Sequence, residues 1–319
     1  MINNNIILHG INEINEDGYL NRFKTDLKNH LSEKGKSISQ YLNGQEIRFI
    51  ILGEVKISLE SNDDIFCMIY YGDFQYDFKV IKNNEELILN PIYNELELLK
   101  IKGARFNPTL VRILLKGSNI KLKYLKGLYK LPSESDYPKL KYLAFGTSIT
   151  QGHKAILPDL TYPNIIANNI NFDLLNYGMS GCCFLEKEIC DFIADTNCDL
   201  YTLCLSVNMV GNNYTVLEFE KRLKYLLEKL KGKKVVLMSI LTNYRDVNID
   251  RLKGDLKITN EYRLVLEKYS ILYSFPFLDG TKALSFNNLT YDLLHPGNYG
   301  MIEIAYNLLK KIKLYSLID

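Results

Sequence analysis

The chain has no tryptophan, only four histidines (His9, His30, His153 and His295) and eight prolines. None of those histidines falls in an H-E-x-x-H motif or another metal-ligand spacing, so neither a metal site nor any other cofactor is expected. The six cysteines (Cys67, Cys182, Cys183, Cys190, Cys198 and Cys204) include no C-x-x-C pair. The opening MINNNIILHG lacks a basic stretch ahead of its short apolar run, so no signal peptide is expected. Free, buried thiols and a cytoplasmic setting are therefore expected rather than disulfides. No uninterrupted apolar run approaches the length of a bilayer span. An excess of charge is missing too: 39 Lys and Arg face 37 Asp and Glu, interspersed, for a net +2. That balance gives no electrostatic case for nucleic acid or for an anionic membrane. The lysine-rich stretch 229–234 suits the solvated end of a helix, where cations complement the dipole.

What is present is ordinary globular composition, 47% apolar and 24% charged, over 319 residues, a length that suits two domains. Leu20, Phe23, Leu27 and Leu31 recur at helical spacing, so one leading helix is expected there. From Glu46 to about Lys126 the rhythm changes to short runs rich in β-branched and aromatic residues: IRFIIL (47–52), VKISLE (55–60), IFCMIYY (65–71), FQYDFKV (74–80), LVRILLKG (110–117) and IKLKYL (120–125). Turn residues such as Gly53, Gly72-Asp73 and Gly117-Ser118-Asn119 separate them, which predicts an antiparallel β-sandwich over residues 1–130. The tyrosines of that region (Tyr70, Tyr71, Tyr76) suit either strand packing or a sugar platform.

Residues 131–138, polar and bracketed by Pro132 and Pro138, form the expected linker to a second domain, 139–319. Beyond it strands and helices alternate. Strands are predicted at 141–145, 173–176, 199–206, 234–240 and 271–276, and helices at 162–170, 184–194, 214–231, 257–269 and 298–313. Thr215-x-x-Glu218 reads as a capping box opening the third helix. Such alternation implies a parallel sheet wrapped by helices, a three-layer α/β domain.

Four segments fall at strand ends or just before the last helix: Gly146-Thr147-Ser148, Asn176-Tyr-Gly-Met-Ser-Gly181, Ser206-Val-Asn208 and Asp292-Leu-Leu-His295. Open α/β sheets gather such ends along one edge, where ligands bind. A serine hydroxyl needs a base to take its proton, and imidazole has the right pKa. The base needs an acceptor that fixes its tautomer, and Asp292 can supply it from the turn that carries His295. A tetrahedral intermediate needs donors, which Asn208 and an unobstructed Gly181 N–H can offer. Each segment alone also reads as turn chemistry; their joint occurrence in this order does not. His153 suits either the rim of such a site or an exposed loop, and Cys182 and Cys183 suit small apolar fillers.

The set resembles the SGNH (GDSL-type) hydrolase family, whose blocks carry Ser, Gly, Asn and His in this order, over about residues 139–319. The resemblance implies a flavodoxin-like three-layer domain in which Ser148 is the nucleophile. It makes Asp292 and His295 the rest of the triad, and Ser148, Gly181 and Asn208 the oxyanion hole. Two positions depart from the family: Thr147 stands where GDS has aspartate, and Ser206-Val-Asn-Met209 stands where G-x-N-D is usual. They are expected to alter the substrate-binding wall, which is assigned to Thr147, His153 and Met209. The resemblance extends to the branch with an N-terminal, jelly-roll-like β-sandwich, which includes carbohydrate esterases and some acyltransferases. It implies an esterase or deacetylase acting on a small-molecule or carbohydrate ester. The alternatives are acyl transfer to a hydroxyl or amine of a small metabolite, and a non-catalytic carbohydrate-binding protein.

Overall fold

The computed structural model describes residues 5–82, 85–92, 104–247 and 256–318. It begins with β1 (Ile7–His9) and the small antiparallel pair β2 (Glu13–Ile14) and β3 (Leu20–Asn21), then α1 (Thr25–Asn29) and α2 (Glu33–Ile38). The single helix expected over Leu20–Leu31 does not form. Leu20, Phe23 and Leu31 are buried as their spacing implied, but backbone pairing decides their conformation. The Leu20 N–H donates to the Ile120 carbonyl and the Arg22 N–H to the Ser39 carbonyl. Those tertiary bonds outweigh an isolated helix of about twelve residues, which is marginal in water.

The strands β4 (Tyr41–Glu60), β5 (Ile65–Tyr71), β6 (Phe74–Ile81), β7 (Glu86–Leu89), β8 (Leu110–Ser118) and β9 (Lys121–Lys130) join β1 in one antiparallel sheet. Two expected strands, 47–52 and 55–60, are one: β4 runs through Gly53. Its first half pairs with β1 and β8 and its second with β7 and β9, with a register shift between Ile51 and Val55. One bent strand thus serves two layers. Ile47, Phe49, Ile57 and Leu59 from β4 meet Cys67, Ile69, Ile113, Leu115 and Leu122 in the core between them. Each such aliphatic or aromatic side chain contributes about 1.5–3 kcal/mol on burial. Within 131–138, a short turn at Glu134–Asp136 is capped by Ser133. The Asp136 carboxylate accepts a bond from Asn107 Nδ2 at 2.6 Å.

The second sheet contains β10 (Lys141–Gly146), β11 (Asp173–Gly178), β12 (Leu200–Cys204), β13 (Val235–Met238) and β14 (Phe277–Leu278). Its order is β11-β10-β12-β13-β14 and every pairing is parallel, the flavodoxin-like arrangement. The helices of this part are α3 (Ser148–Gln151), α4 (Tyr162–Ile170), α5 (Lys187–Asp195), α6 (Val207–Gly211), α7 (Val216–Lys229), α8 (Leu256–Tyr273), α9 (Gly280–Ala283) and α10 (Asn298–Leu314). Strand side chains alternate between two cores. Leu143, Phe145, Tyr201, Leu203, Val235 and Leu237 pack on the side of α5, α7 and α8. Tyr142, Ala144, Leu200, Val236 and Met238 pack on the side of α4 and α10. Thr215 caps α7 by accepting the Glu218 N–H at 3.1 Å. The last strand lies at Phe277–Leu278 rather than at the expected 271–276. Helix α8 keeps its buried face (Tyr262, Leu266, Tyr269) and runs on to Tyr273; Ser274, at φ +57°, then ends it.

Strand β11 is an edge strand, yet its outer carbonyls are covered by polar side chains from the N-terminal part. His9 Nε2 lies 2.6 Å from the Leu174 carbonyl, Gln45 Nε2 donates to Asn176, and Arg22 donates to both Asn176 and Gly178. Arg48 adds a bidentate pair to Asp173 at 2.7 and 2.9 Å. An unpaired strand edge is thereby closed to other chains and held against the antiparallel sheet.

Candidate active site

Strand β10 ends at Gly146, where a Cβ would collide with the Cys204 carbonyl of β12 and the Thr150 hydroxyl. The chain can therefore turn at once into α3, with Ser148 as its first residue. This point lies between β10 and β12, where the strand order reverses and open sheets leave a crevice. As the first residue of a helix, Ser148 carries an N–H with no intrahelical acceptor.

Ser148 Oγ is 2.8 Å from His295 Nε2, and His295 Nδ1 is 2.9 Å from Asp292 Oδ2. The other carboxylate oxygen, Oδ1, accepts the N–H groups of Leu294 and His295, each at 2.9 Å, and the Thr290 hydroxyl at 3.0 Å. Burial alone would raise the Asp292 carboxyl. The backbone and ring donors of His295, with the Leu294 N–H, outweigh it and hold the group well below the usual carboxylate range. An ionised Asp292 accepts the proton on Nδ1, so Nε2 presents its lone pair to the serine. The turn itself is closed by the Thr290 N–H donating to the His295 carbonyl at 2.8 Å.

Side chains also brace the loop after β11. The Gly178 N–H donates to Asn176 Oδ1 and the Ser180 N–H to Gln151 Oε1, at 2.9 and 2.8 Å. Gly178 passes so close to the Gln151 backbone that no Cβ fits. Gly181 follows at φ +71°, and no group among the described residues accepts its N–H. Asn208 stands in the first turn of α6, and its Oδ1 accepts the Cys183 N–H at 3.2 Å. With the oxygen committed, the amide NH₂ is the end left to donate. Ser206, at φ +87° and ψ −35°, occupies strained backbone that favours glycine, the residue usual in the corresponding family motif.

A cleft of about 360 Å³ contains Ser148, Gly181, Asn208, His295 and His153, with Asp292 bonded behind the histidine. His153 is exposed, and its ring centroid lies 4.8 Å from that of His295. Partial burial, the nearby His295 and Lys154 lower its pKa, which keeps the imidazole neutral at pH 7. Thr147 and Met209, expected on the substrate wall, are not there. Both are fully buried; Met209 packs into the core beneath α7 and α8. The apolar residue in place of the usual aspartate turns inward and adds no side chain to the cleft. Cys182 and Cys183 are likewise buried, which pushes the Cys182 thiol up to about 12 and Cys183 well above its ordinary value. Such thiols carry no nucleophilic thiolate at neutral pH.

Ser180, within the predicted strand-end segment, also lines the cleft, as do Lys34, Tyr244 and Arg245, which were missed from the sequence. No periodicity or motif marks them, because Lys34 comes from α2 and Tyr244 and Arg245 from the connection after β13. The sandwich tyrosines are engaged elsewhere. Tyr70 donates to Asp159, Tyr71 is buried and donates to the Asn90 carbonyl, and Tyr76 packs edge-on against Tyr71. Among the described residues no cluster of three or more His, Cys, Asp or Glu is placed to hold a metal, and no helix is long and apolar enough to cross a membrane.

Comparison with solved structures gives likeness over nearly the whole chain. The salicylyl-acyltransferase SsfX3 from a tetracycline biosynthetic pathway is similar with a TM-score of 0.78 at 15% identity, covering 99% of this chain and 96% of that one. A family two carbohydrate esterase from Cellvibrio japonicus is similar at 0.65 and 14% identity, covering 99% and 97%. Its counterpart from Clostridium thermocellum, in complex with cellohexaose, is similar at 0.58 and 11% identity, covering 98% and 100%. At these identities the likeness is one of fold, and it includes the antiparallel sheet. No curated protein matches the chain by sequence. The model of the GDSL-like lipase/acylhydrolase family matches residues 140–313, the parallel sheet with its four strand-end segments, and the chain belongs to that family.

Proposed function

We propose that the protein is a serine acyl-ester hydrolase acting on acylated carbohydrates or small-molecule esters. The observation that carries this reading is the unbroken relay from Ser148 Oγ through His295 to Asp292, at 2.8 and 2.9 Å. Ser148 Oγ attacks the ester carbonyl carbon while its proton passes to His295 Nε2. Asp292, accepting from Nδ1, stabilises the imidazolium. The carbonyl oxygen takes the displaced electron pair and is held by the N–H groups of Ser148 and Gly181 and the Asn208 amide. Collapse of this intermediate breaks the bond to the alcohol, which leaves with the proton from His295. Water then gives a proton to His295 and attacks the acyl-enzyme. The second collapse frees the carboxylic acid and returns the proton to Ser148. In this reading residues 1–130 form a sandwich domain bracing the edge of β11, joined through 131–138 to the catalytic domain, 139–319.

A fluorophosphonate tests the assignment: it should label one serine, and peptide mapping should find the adduct on Ser148. An adduct on another serine that abolishes hydrolysis, or ester hydrolysis that survives complete labelling of Ser148, refutes it. Asn208→Ala should lower kcat by about 10²–10³-fold with a smaller change in KM, because the amide acts when charge develops on the oxygen. Steady-state kinetics on a p-nitrophenyl ester check this, and a near-normal kcat would remove Asn208 from the oxyanion hole.

Acyl transfer is a second reading, favoured by the whole-chain likeness to a salicylyl-acyltransferase. It uses the same acyl-enzyme and replaces water by a hydroxyl or amine acceptor. The ratio of transfer product to free acid in the presence of alcohols separates the two.

A further inference from the structure

Two cations line the catalytic cleft, and among the described residues no carboxylate does. Lys34 reaches in from α2, and its ammonium stands against Gly181, so closely that a Cβ there would run into it. Arg245 enters from the opposite part of the chain and brings Nη2 within 3.8 Å of where a Gly211 Cβ would stand, three residues beyond Asn208. The acids adjacent to them in sequence are committed to other bases. Glu33 pairs with Lys36 at 2.6 Å, and Asp246 is held by Arg263 through both oxygens at 2.6 and 2.8 Å. No ion pair joins Lys34 or Arg245 to any carboxylate among the described residues. Arg245 is also half-buried and lies over the Tyr244 ring, and among the described residues its guanidinium makes one marginal bond, of 3.5 Å to Asn243 Oδ1. A desolvated guanidinium without an anion is costly, and a fork of donors facing a cleft fits a carboxylate or phosphate. His153, neutral at pH 7, adds no competing charge.

Resting on the serine-hydrolase reading, we infer that Lys34 and Arg245 select an ester that carries an anionic group, a carboxylate or phosphate, beside the scissile bond. The cleft, about 360 Å³, is small for a binding site, so the anion and the ester belong to one small molecule. The N-terminal part would then contribute to specificity directly, through Lys34, as well as bracing the sheet edge.

Matched ester pairs test this. On the leaving-group side, 4-acetoxybenzoate is compared with its methyl ester; on the acyl side, mono-4-nitrophenyl glutarate is compared with 4-nitrophenyl pentanoate. The wild-type protein should favour the charged member of at least one pair by about tenfold in kcat/KM, the order of one charge-assisted contact. The preference should shrink as salt rises. Lys34→Met and Arg245→Met should each reduce the charged-to-neutral ratio several-fold, chiefly through KM. The same pairs are titrated calorimetrically into Ser148→Ala, with and without each substitution, to read binding apart from turnover. Equal use and equal binding of charged and neutral members, or an unchanged ratio in both variants, overturns the inference and leaves the hydrolase reading standing. Selective binding of the anion by a wild-type protein that hydrolyses neither ester overturns the hydrolase reading instead.

Discussion

Ser148→Ala and His295→Ala should each lower kcat by about 10⁶-fold, and the double variant should lose no more than either one alone. The expectation follows from how the two groups share one proton. Ser148 Oγ and His295 Nε2 are 2.8 Å apart, so in the proposed mechanism the nucleophile is formed only as the base receives the proton. Removing either partner removes the same step, which is why their effects do not add. Asp292→Asn should cost about 10⁴-fold with the geometry retained, since an amide cannot fix the tautomer or stabilise the imidazolium. Asp292 is unusually well anchored here: its Oδ1 takes two backbone N–H groups and a hydroxyl before the ring is counted. Asn at 292 can keep those bonds through its oxygen while turning its NH₂ toward Nδ1. Single-turnover measurements on an activated ester check the series. Additive losses in the double variant would mean that Ser148 and His295 act in separate steps.

The second large effect is on stability. Arg48→Ala should destabilise the fold by about 3–5 kcal/mol, the cost of leaving buried charge unpaired. Arg48 is buried between Glu46, at 2.7 Å, and Asp173, which it holds bidentately; Arg112 takes the other side of Glu46, and His9 stands 3.4 Å from Asp173. Burial would raise both carboxyls, but the two guanidinium groups hold Glu46 well below its ordinary value, and Arg48 lowers Asp173. Burial and the Arg48 charge lower the pKa of His9. In all three the folded state binds fewer protons than the unfolded chain, so stability rises with pH. Wild-type stability should therefore decline as pH falls below about 6.5, where unfolded histidine protonates, and more steeply below about 4, where unfolded carboxyls do. Urea unfolding of the wild type and Arg48→Ala across pH 3–8 checks both statements. A loss under 1 kcal/mol on removing Arg48 would show that water reaches the cluster.

Much of the parallel sheet and its helices could be read from sequence, because local pattern and tertiary environment agree there. Tyr142–Phe145 is apolar at every position, and the strand is buried on both faces by the two helical layers. Thr215 and Glu218 act through bonds within one turn, so their meaning needs no distant partner. Ser148, Gly181, Asn208 and the Asp292–His295 turn were legible for a related reason. A parallel sheet gathers its strand ends on one edge whatever its loops do.

The N-terminal region was less legible where long-range pairing competes with local period. Leu20, Phe23, Leu27 and Leu31 have helical spacing, yet hydrogen bonds from Leu20 to Ile120 and from Arg22 to Ser39 divide the segment. Gly53 reads as a break, but β4 passes through it because strands on both sides of the bend supply partners. Composition and order along the chain thus determined which residues meet at the sheet edge. Only the tertiary structure decided that Thr147 and Met209 turn inward and that Lys34 and Arg245 enter the cleft. The physical reason is distance along the chain: a side chain's direction at a loop is set by what packs behind it. For Lys34 that partner lies almost 150 residues away, at Gly181, where no local pattern reaches.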